Sequence, residues 1–491
     1  MRKAPRSLPS RQSYDALVFG TQIPGAIAAA LLARRGHRVL AVTHGAFPLA
    51  YRGGGFLLPS GPAFFPALRS LPSAVAVLAE ISAGADVQRL AGAPVPVQVL
   101  AARMRLTLAL DARQRAAELS RELGELGRGA AEEIDALLAA AEEDGPFFAK
   151  PLLPPCGIAG AWRVRRALRA HPGLGARPAE PRDSEMGGAL SELWRLGSGL
   201  LEDGPSSRAA QRPLAQLLRG VQFFPGGAEG LAAELFRRVE AAGGTVLGNG
   251  GAPSAIEGLD IEKGRIVRAR IEGSPHEWRA SFFVAALDAA ELRDLLPARA
   301  ADGRLGGLLS TVKPHGALLS QNLVVSTEGL PPGLGPVALC LTGEPSIPAL
   351  LVQTTPALDE QGKESGAAVL QLSFQLPATL HSHVEVRAAL SAMRRAAAPF
   401  LPFHERHVHF ESSPQLEEED GLSARLRIHP RLEIGRRGTL GVTGLPARGP
   451  IANLVLASRE VLPGLGFEGE FLAGLRAAQI VAAGLPKKPA P

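Results

Sequence analysis

Gly20 and Gly25 bracket the segment GTQIPG, which follows the apolar run Tyr14–Phe19 and opens the Ala- and Leu-rich stretch Ala26–Arg35. Glycines at such a turn let backbone N–H groups approach a pyrophosphate at a helix N-terminus, where unpaired donors and the helix dipole favour negative charge. They fill the first and third glycine positions of G-x-G-x-x-G, with Thr21 next and Gln22 in place of the middle glycine. A second apolar run, Val39–Val42, ends on Thr43, where a dinucleotide site would carry an acid for the ribose hydroxyls. The pattern marks a βαβ opening. By itself it leaves a dinucleotide site and a purely structural βαβ unit equally open.

The elements that would position this turn recur along the chain. Gly226–Gly227 opens a helix at Leu231–Ala242, followed by strands at Thr245–Leu247, Gly264–Ile271 and Ser281–Ala286. Asp111–Asp144 reads as helical with a break near Gly124–Gly129, and Pro-rich loops follow at Pro151–Gly157 and Ala176–Gly188. Gly316–Val325, Pro336–Leu341, Ala349–Thr354 and Ala368–Leu376 are strand-like, Val384–Ala398 is helical, and Gly469–Ala483 closes the chain as a helix.

With 491 residues, the chain is long enough for two interleaved domains. The net charge of +6 admits an anionic partner, but Lys and Arg are spread out, with clusters only at Arg2–Arg6, Arg163–Arg169 and Lys487–Lys488. Aromatics at 5% are too sparse for a base-stacking platform, so no nucleic acid is expected. Cys156 and Cys340, far apart, suit a reducing compartment. The charged N-terminus has no apolar stretch behind it, and apolar runs break well short of about 18 residues. A cytoplasmic protein is expected, with flexible tails at 1–12 and 487–491.

Several blocks occur in a characteristic order: Tyr14–Val42, GFLLPSGP at Gly55–Pro62, Phe223–Ile256, FFVAALDAAELRDLLP at Phe282–Pro297, and Asn453–Val481. In this order they resemble the carotenoid (phytoene) desaturases and retinol-saturase-like relatives among FAD-dependent oxidoreductases. The resemblance implies an α/β fold: a Rossmann-like FAD-binding domain of the amine-oxidase type with an inserted α+β substrate domain. The cofactor domain would comprise 13–65, 220–300 and 431–486, and the substrate domain 66–219 and 301–430. It implies FAD as cofactor and hydride transfer with an apolar, isoprenoid- or lipid-like substrate, which in turn suggests transient contact with a membrane surface. Carried over by position, the cofactor contacts would be Gly20, Thr21, Gln22, Gly25, Thr43, Gly61, Pro62, Pro253, Arg459, Glu460, Gly466 and Gly469. No catalytic residue is assigned.

The departures from that family gather at these same contacts. Gln22 and Thr43 replace a glycine and a carboxylate. Pro59 stands where an Asp belongs, and the segment between Thr43 and Phe56 is short and lacks a Gly-Gly-Arg element. Pro253, with no N–H, falls where backbone bonds to adenine are made, and Ser458–Arg459 replaces a Gly-Asp pair. Three readings stay open: a working FAD enzyme with a remodelled site, a fold without its cofactor acting as a binding or scaffold protein, or another nucleotide or lipid in the old cleft. In the first, Arg459 would pair with the diphosphate; in the second, with a local carboxylate such as Glu460 or Glu468.

Two further clusters have plainer readings. His404, His407 and His409, with His381 and His383 upstream, fit a half-exposed strand better than a zinc site. Glu417–Asp420 reads as a solvated turn, and Glu468 and Glu470 as acids complementing a helix dipole.

Overall fold

The computed structural model describes residues 13–43, 50–178, 184–202, 204–248, 255–274, 277–315, 317–376, 382–402, 404–416, 431–435 and 438–486. A five-stranded parallel sheet runs in the order Leu454–Leu456, Arg279–Ala285, Ser13–Phe19, Val39–Val42, Thr245–Leu247. Strands distant in sequence are thus neighbours, and the loops after the first strand, Arg279–Ala285 and Leu454–Leu456 meet at the C-terminal end of the sheet. Ala16 to Phe19 are fully buried, as expected for a parallel sheet covered on both faces.

The helix Ile23–Arg34 is buried from Ile23 to Ala33. Its alanines keep it thin, and the terminal helix Gly466–Gly484 crosses it closely. A Cβ on Gly474 would lie 2.6 Å from the Pro24 carbonyl oxygen, so only glycine fits that crossing. The terminal helix packs on this first helix and on Leu454–Leu456, which brings the closing block into the domain of Gly20 as expected. It starts at Gly466 rather than Gly469, because the 3-10 turn Pro463–Leu465 runs straight into it.

A second, mixed sheet of nine strands is ordered Val408–Ser412, Ala317–Ser326, Glu364–Leu376, Ile347–Asp359, Val337–Glu344, Gln98–Ala101, Met104–Thr107. The hairpin Ala50–Gly53/Phe56–Pro59 joins it along Ile347–Asp359, so part of the first stretch is hydrogen-bonded into this sheet. Helix His383–Ala397 covers one face through Val386, Leu390 and Met393. The helical region breaks at Gly124 into Ala112–Leu123 and Glu125–Glu143.

The histidine segment departs from the strand expected of it. His404–His407 forms a 3-10 turn and the strand begins at Val408. His404 is buried with Nδ1 at 2.6 Å from the Leu401 carbonyl, so the ring caps the preceding turn. No cluster of His, Cys, Asp or Glu that could hold a metal occurs among the described residues. His381, Glu417–Asp420 and both tails lie outside the described residues.

Candidate functional site

Gly20 adopts φ +111°, and a Cβ there would sit 2.1 Å from the Ala286 carbonyl oxygen. The turn therefore needs glycine for its own packing against the end of Arg279–Ala285. Gly25 lies under the Ala286 methyl, in the first turn of the helix. That helix start offers few free donors. Pro24 has no N–H, and the Gly25 N–H is 3.0 Å from the Gln22 carbonyl.

Above the turn, three side chains form a closed network. Gln22 Nε2 donates to Asp288 Oδ1 at 2.7 Å, and Gln22 Oε1 accepts the Arg459 backbone N–H at 3.0 Å. Arg459 grips Asp288 through both Nε (3.1 Å) and Nη2 (2.7 Å). The loops after three neighbouring strands are thereby tied together. The expected partners of Arg459, Glu460 and Glu468, are corrected to Asp288. Glu460 instead accepts the Ala289 N–H at 2.7 Å, at the start of helix Ala289–Asp294. Glu468 is fully buried and takes a two-pronged bond from Arg212, Nε at 2.7 Å and Nη2 at 2.9 Å, plus Gln216 Nε2 at 2.8 Å. It anchors the terminal helix rather than simply answering its dipole.

The charges here are crowded. Burial lowers the pKa of Arg459, but Asp288, Glu460 and Glu470 more than reverse this, so the guanidinium stays charged. Burial raises Glu460, with Asp288 adding to it and Arg459 opposing. Glu470 is pushed up to about 7, first by burial, with Arg459 opposing and Asp288 reinforcing.

Glu470, half-buried, faces a cavity of about 210 Å³ with Arg459, Gly466 and Phe467 on one side and Phe64 and Arg431 on others. Phe65 and Phe467 stack across it with centroids 5.0 Å apart. Arg431 is buried, and burial lowers its pKa to about 10. Its Nη1 donates to the carbonyls of Arg195 (2.6 Å) and Leu200 (3.0 Å). A second cavity of about 340 Å³ adjoins the first through Pro62 and Ala228, walled by Leu57, Phe223, Phe224 and Val369.

The positions expected at a cofactor are thus partly gathered. Gly20, Gln22, Gly25 and Arg459 meet at the turn; Gly61 and Pro62 line the second cavity, and Pro62 and Gly466 the first. Thr21 is half-buried beside Gln22. Thr43 spends its hydroxyl on the Leu247 carbonyl at 3.0 Å, bracing two strands. A Cβ on Gly469 would lie 2.2 Å from the Leu462 carbonyl, so that glycine serves packing. Pro253 lies outside the described residues. Asp288, Glu470 and Arg431 were not among the expected cofactor contacts. Asp288 had a readable signal, the Asp-x-x-Glu pattern with Glu291, which forms a capping box at the end of a strand.

No family model matches the chain, and no curated protein does either. Solved structures do. An oxidoreductase from Methanosarcina mazei is similar over 94% of this chain and 99% of its own, with TM-score 0.60 and 15% identity. Cyclohexylamine oxidase from Brevibacterium oxydans is similar over 96% and 99%, with TM-score 0.56 and 14% identity. Putrescine oxidase bound to putrescine is similar over 96% and 99%, with TM-score 0.55 and 12% identity. The chain has the FAD-binding amine-oxidase fold: a Rossmann-like domain on a parallel sheet with a second domain inserted.

Proposed function

We propose that this protein is an FAD-dependent oxidoreductase acting on an apolar, isoprenoid- or lipid-like substrate. The observation that carries this reading is the placement of the Phe-lined cavity. It lies at the start of the terminal helix, beside the Gly20 turn, and contains one carboxyl group of near-neutral pKa. The order of the sequence blocks supports the narrower likeness to carotenoid desaturases.

The residues fit the cofactor at two points and resist it at two. The cavity has apolar walls for a ring system, and Arg459 supplies a permanent positive charge beside the turn for a diphosphate. Asp288 and Gln22 occupy that guanidinium and its backbone N–H, so a diphosphate must take their place. Thr43 leaves the ribose without a carboxylate. Bound FAD would supply a two-electron acceptor for hydride from a substrate C–H. The chain's own part is to exclude water with Phe64, Phe65 and Phe467, and to hold the accompanying proton on the Glu470 carboxyl. A pKa of about 7 leaves both forms of Glu470 populated near neutrality. The adjoining cavity extends the apolar surface for a long substrate.

The closed Gln22–Asp288–Arg459 network favours one other reading, a chain that keeps the fold and has given up the cofactor. Visible absorbance of the purified protein, before and after incubation with FAD, separates the two, with mass spectrometry of any released chromophore. A yellow protein releasing FAD supports the enzyme. A protein that stays colourless after incubation overturns it.

A further inference from the structure

The helix Gly157–Ala170 has no part in the site above. Its residues Ile158, Trp162, Arg165, Arg166 and Arg169 recur at helical spacing and share one face. Ile158 is 92% exposed and Trp162 61%, unusual values for large apolar side chains. Arg166 stands 5.7 Å from the centre of the Trp162 ring, a cation–π contact on the same face. The opposite side is fixed to the body through Gly160 and Val164, which are buried.

Beside this helix lies a separate cavity of about 230 Å³, lined by Lys150, Leu152, Gly160, Arg163, Arg476 and Gln479. No carboxylate lines it. Among the described residues, none of Lys150, Arg163 and Arg476 makes an ion pair, and the buried Nε of Arg476 has no hydrogen-bond partner. Converging cations with an unanswered buried donor make a site for an anion. Of the Arg163–Arg169 cluster, Arg163 lines this cavity, on the flank of the helix between its exposed and its buried side.

We propose that this face docks the protein on an anionic phospholipid bilayer. Ile158 and Trp162 enter the boundary between headgroups and acyl chains, and a lipid phosphate seats in the Lys150–Arg163–Arg476 cavity. Exposed aliphatic and indole side chains supply the inserting surface, and the arginines beside them on the same face supply attraction to anionic headgroups. A nucleic acid would use the arginines but not an exposed isoleucine, and one exposed Trp is no stacking platform. No helix among the described residues is long and apolar enough to cross a membrane, so the contact is peripheral.

The test is cosedimentation with vesicles of equal parts phosphatidylglycerol and phosphatidylcholine, against phosphatidylcholine alone, at low and high salt. Trp194 and Trp278 are buried, so a shift in tryptophan emission on adding vesicles reports Trp162. Binding to the anionic vesicles, weakened by salt and accompanied by a blue shift, is expected. R163Q and R166Q should each weaken it by about fivefold, from the roughly constant worth of one cation near an anionic surface. I158S/W162S should remove the shift and most of the binding. R476Q should weaken binding even with the exposed face intact. Circular dichroism checks that each variant folds. Equal binding to both vesicle types, variants that bind like the parent, or selective binding to single-stranded DNA would each overturn the proposal. So would stabilisation by inorganic phosphate with no vesicle binding.

Discussion

Gln22 alters more than one motif position. A glycine there leaves the turn open, whereas its carboxamide accepts the Arg459 N–H and donates to Asp288, offering the loops the kind of oxygen a phosphate would offer. The sequence marks Gln22 and Arg459 as departures because each breaks a short pattern. It does not reveal Asp288 as the partner, since that pairing spans 171 residues and depends on strands adjacent only in the sheet. If FAD binds by displacing Asp288, removing that carboxylate should help. Asp288→Asn keeps a good helix N-cap but drops the charge competing for Arg459. It should tighten FAD binding by about tenfold or more, roughly 1.5–3 kcal/mol for a charged hydrogen bond no longer broken. Arg459→Ala should weaken it by a similar amount, as read by fluorescence titration with FAD. Weaker binding by Asp288→Asn, or unchanged binding in both variants, would remove the exchange from consideration. At Glu470, Glu470→Gln should lower turnover of the FAD-loaded protein and abolish the pH step near 7 in its rate profile.

Elements were legible where local patterning decides them. The strands at Val39–Val42 and Thr245–Leu247 lie where periodicity puts them, and the Ala-rich first helix does so except that it begins three residues earlier, at Ile23. Misreadings arose where tertiary contacts decide. His404 is drawn inward to the Leu401 carbonyl, which turns an expected strand into a 3-10 turn. Glu468 looks like a dipole acid from spacing alone, yet its carboxylate is enclosed by Arg212 and Gln216, with Arg212 lying 4.2 Å over the Phe148 ring. Breaking one half of such a buried pair leaves an uncompensated charge. Glu468→Ala should therefore destabilise the protein by about 3–5 kcal/mol, visible as a lower denaturant midpoint. Asn453 does comparable work with neutral groups. Its side chain accepts the Ile266 N–H at 2.8 Å and donates to the Ile266 carbonyl at 2.9 Å. Asn453→Ala strands two buried backbone groups and should cost about 2–6 kcal/mol, at roughly 1–3 kcal/mol per unsatisfied group. A midpoint unchanged in either variant would show that the region relaxes around the loss.

At the scale of the whole molecule, the order of blocks foretold the five-stranded parallel sheet better than any single motif did, because burial on both faces leaves few arrangements for parallel strands. That sheet and the terminal helix packed on it bring Asp288, Glu460 and Glu470 around Arg459, and the stability of the protein should register it. Glu470 has its pKa raised from 4.5 to about 7, and Glu460 is raised as well. Between those values the folded state keeps protons that the unfolded chain has released. The stabilisation is therefore complete below about 4.5 and lost as pH rises through about 7, at up to about 1.4 kcal/mol per pH unit for each proton. On the acid side the sign reverses. Hydrogen bonds from Arg238 and Arg268 hold Asp86 and Asp260 below their ordinary range, a contribution lost as pH falls through those lowered values. Both carboxyls are solvated, so that limb is shallow. Thermal unfolding of the protein without FAD should give a melting temperature that peaks on the acid side of neutrality and falls from there to pH 8. Glu470→Gln, which keeps the shape and cannot ionise, should flatten the descent through pH 7 while leaving the acid limb unchanged. A descent of the same slope in Glu470→Gln would mean that this carboxyl is already ionised in the folded protein, and with that its part in holding a proton would fall.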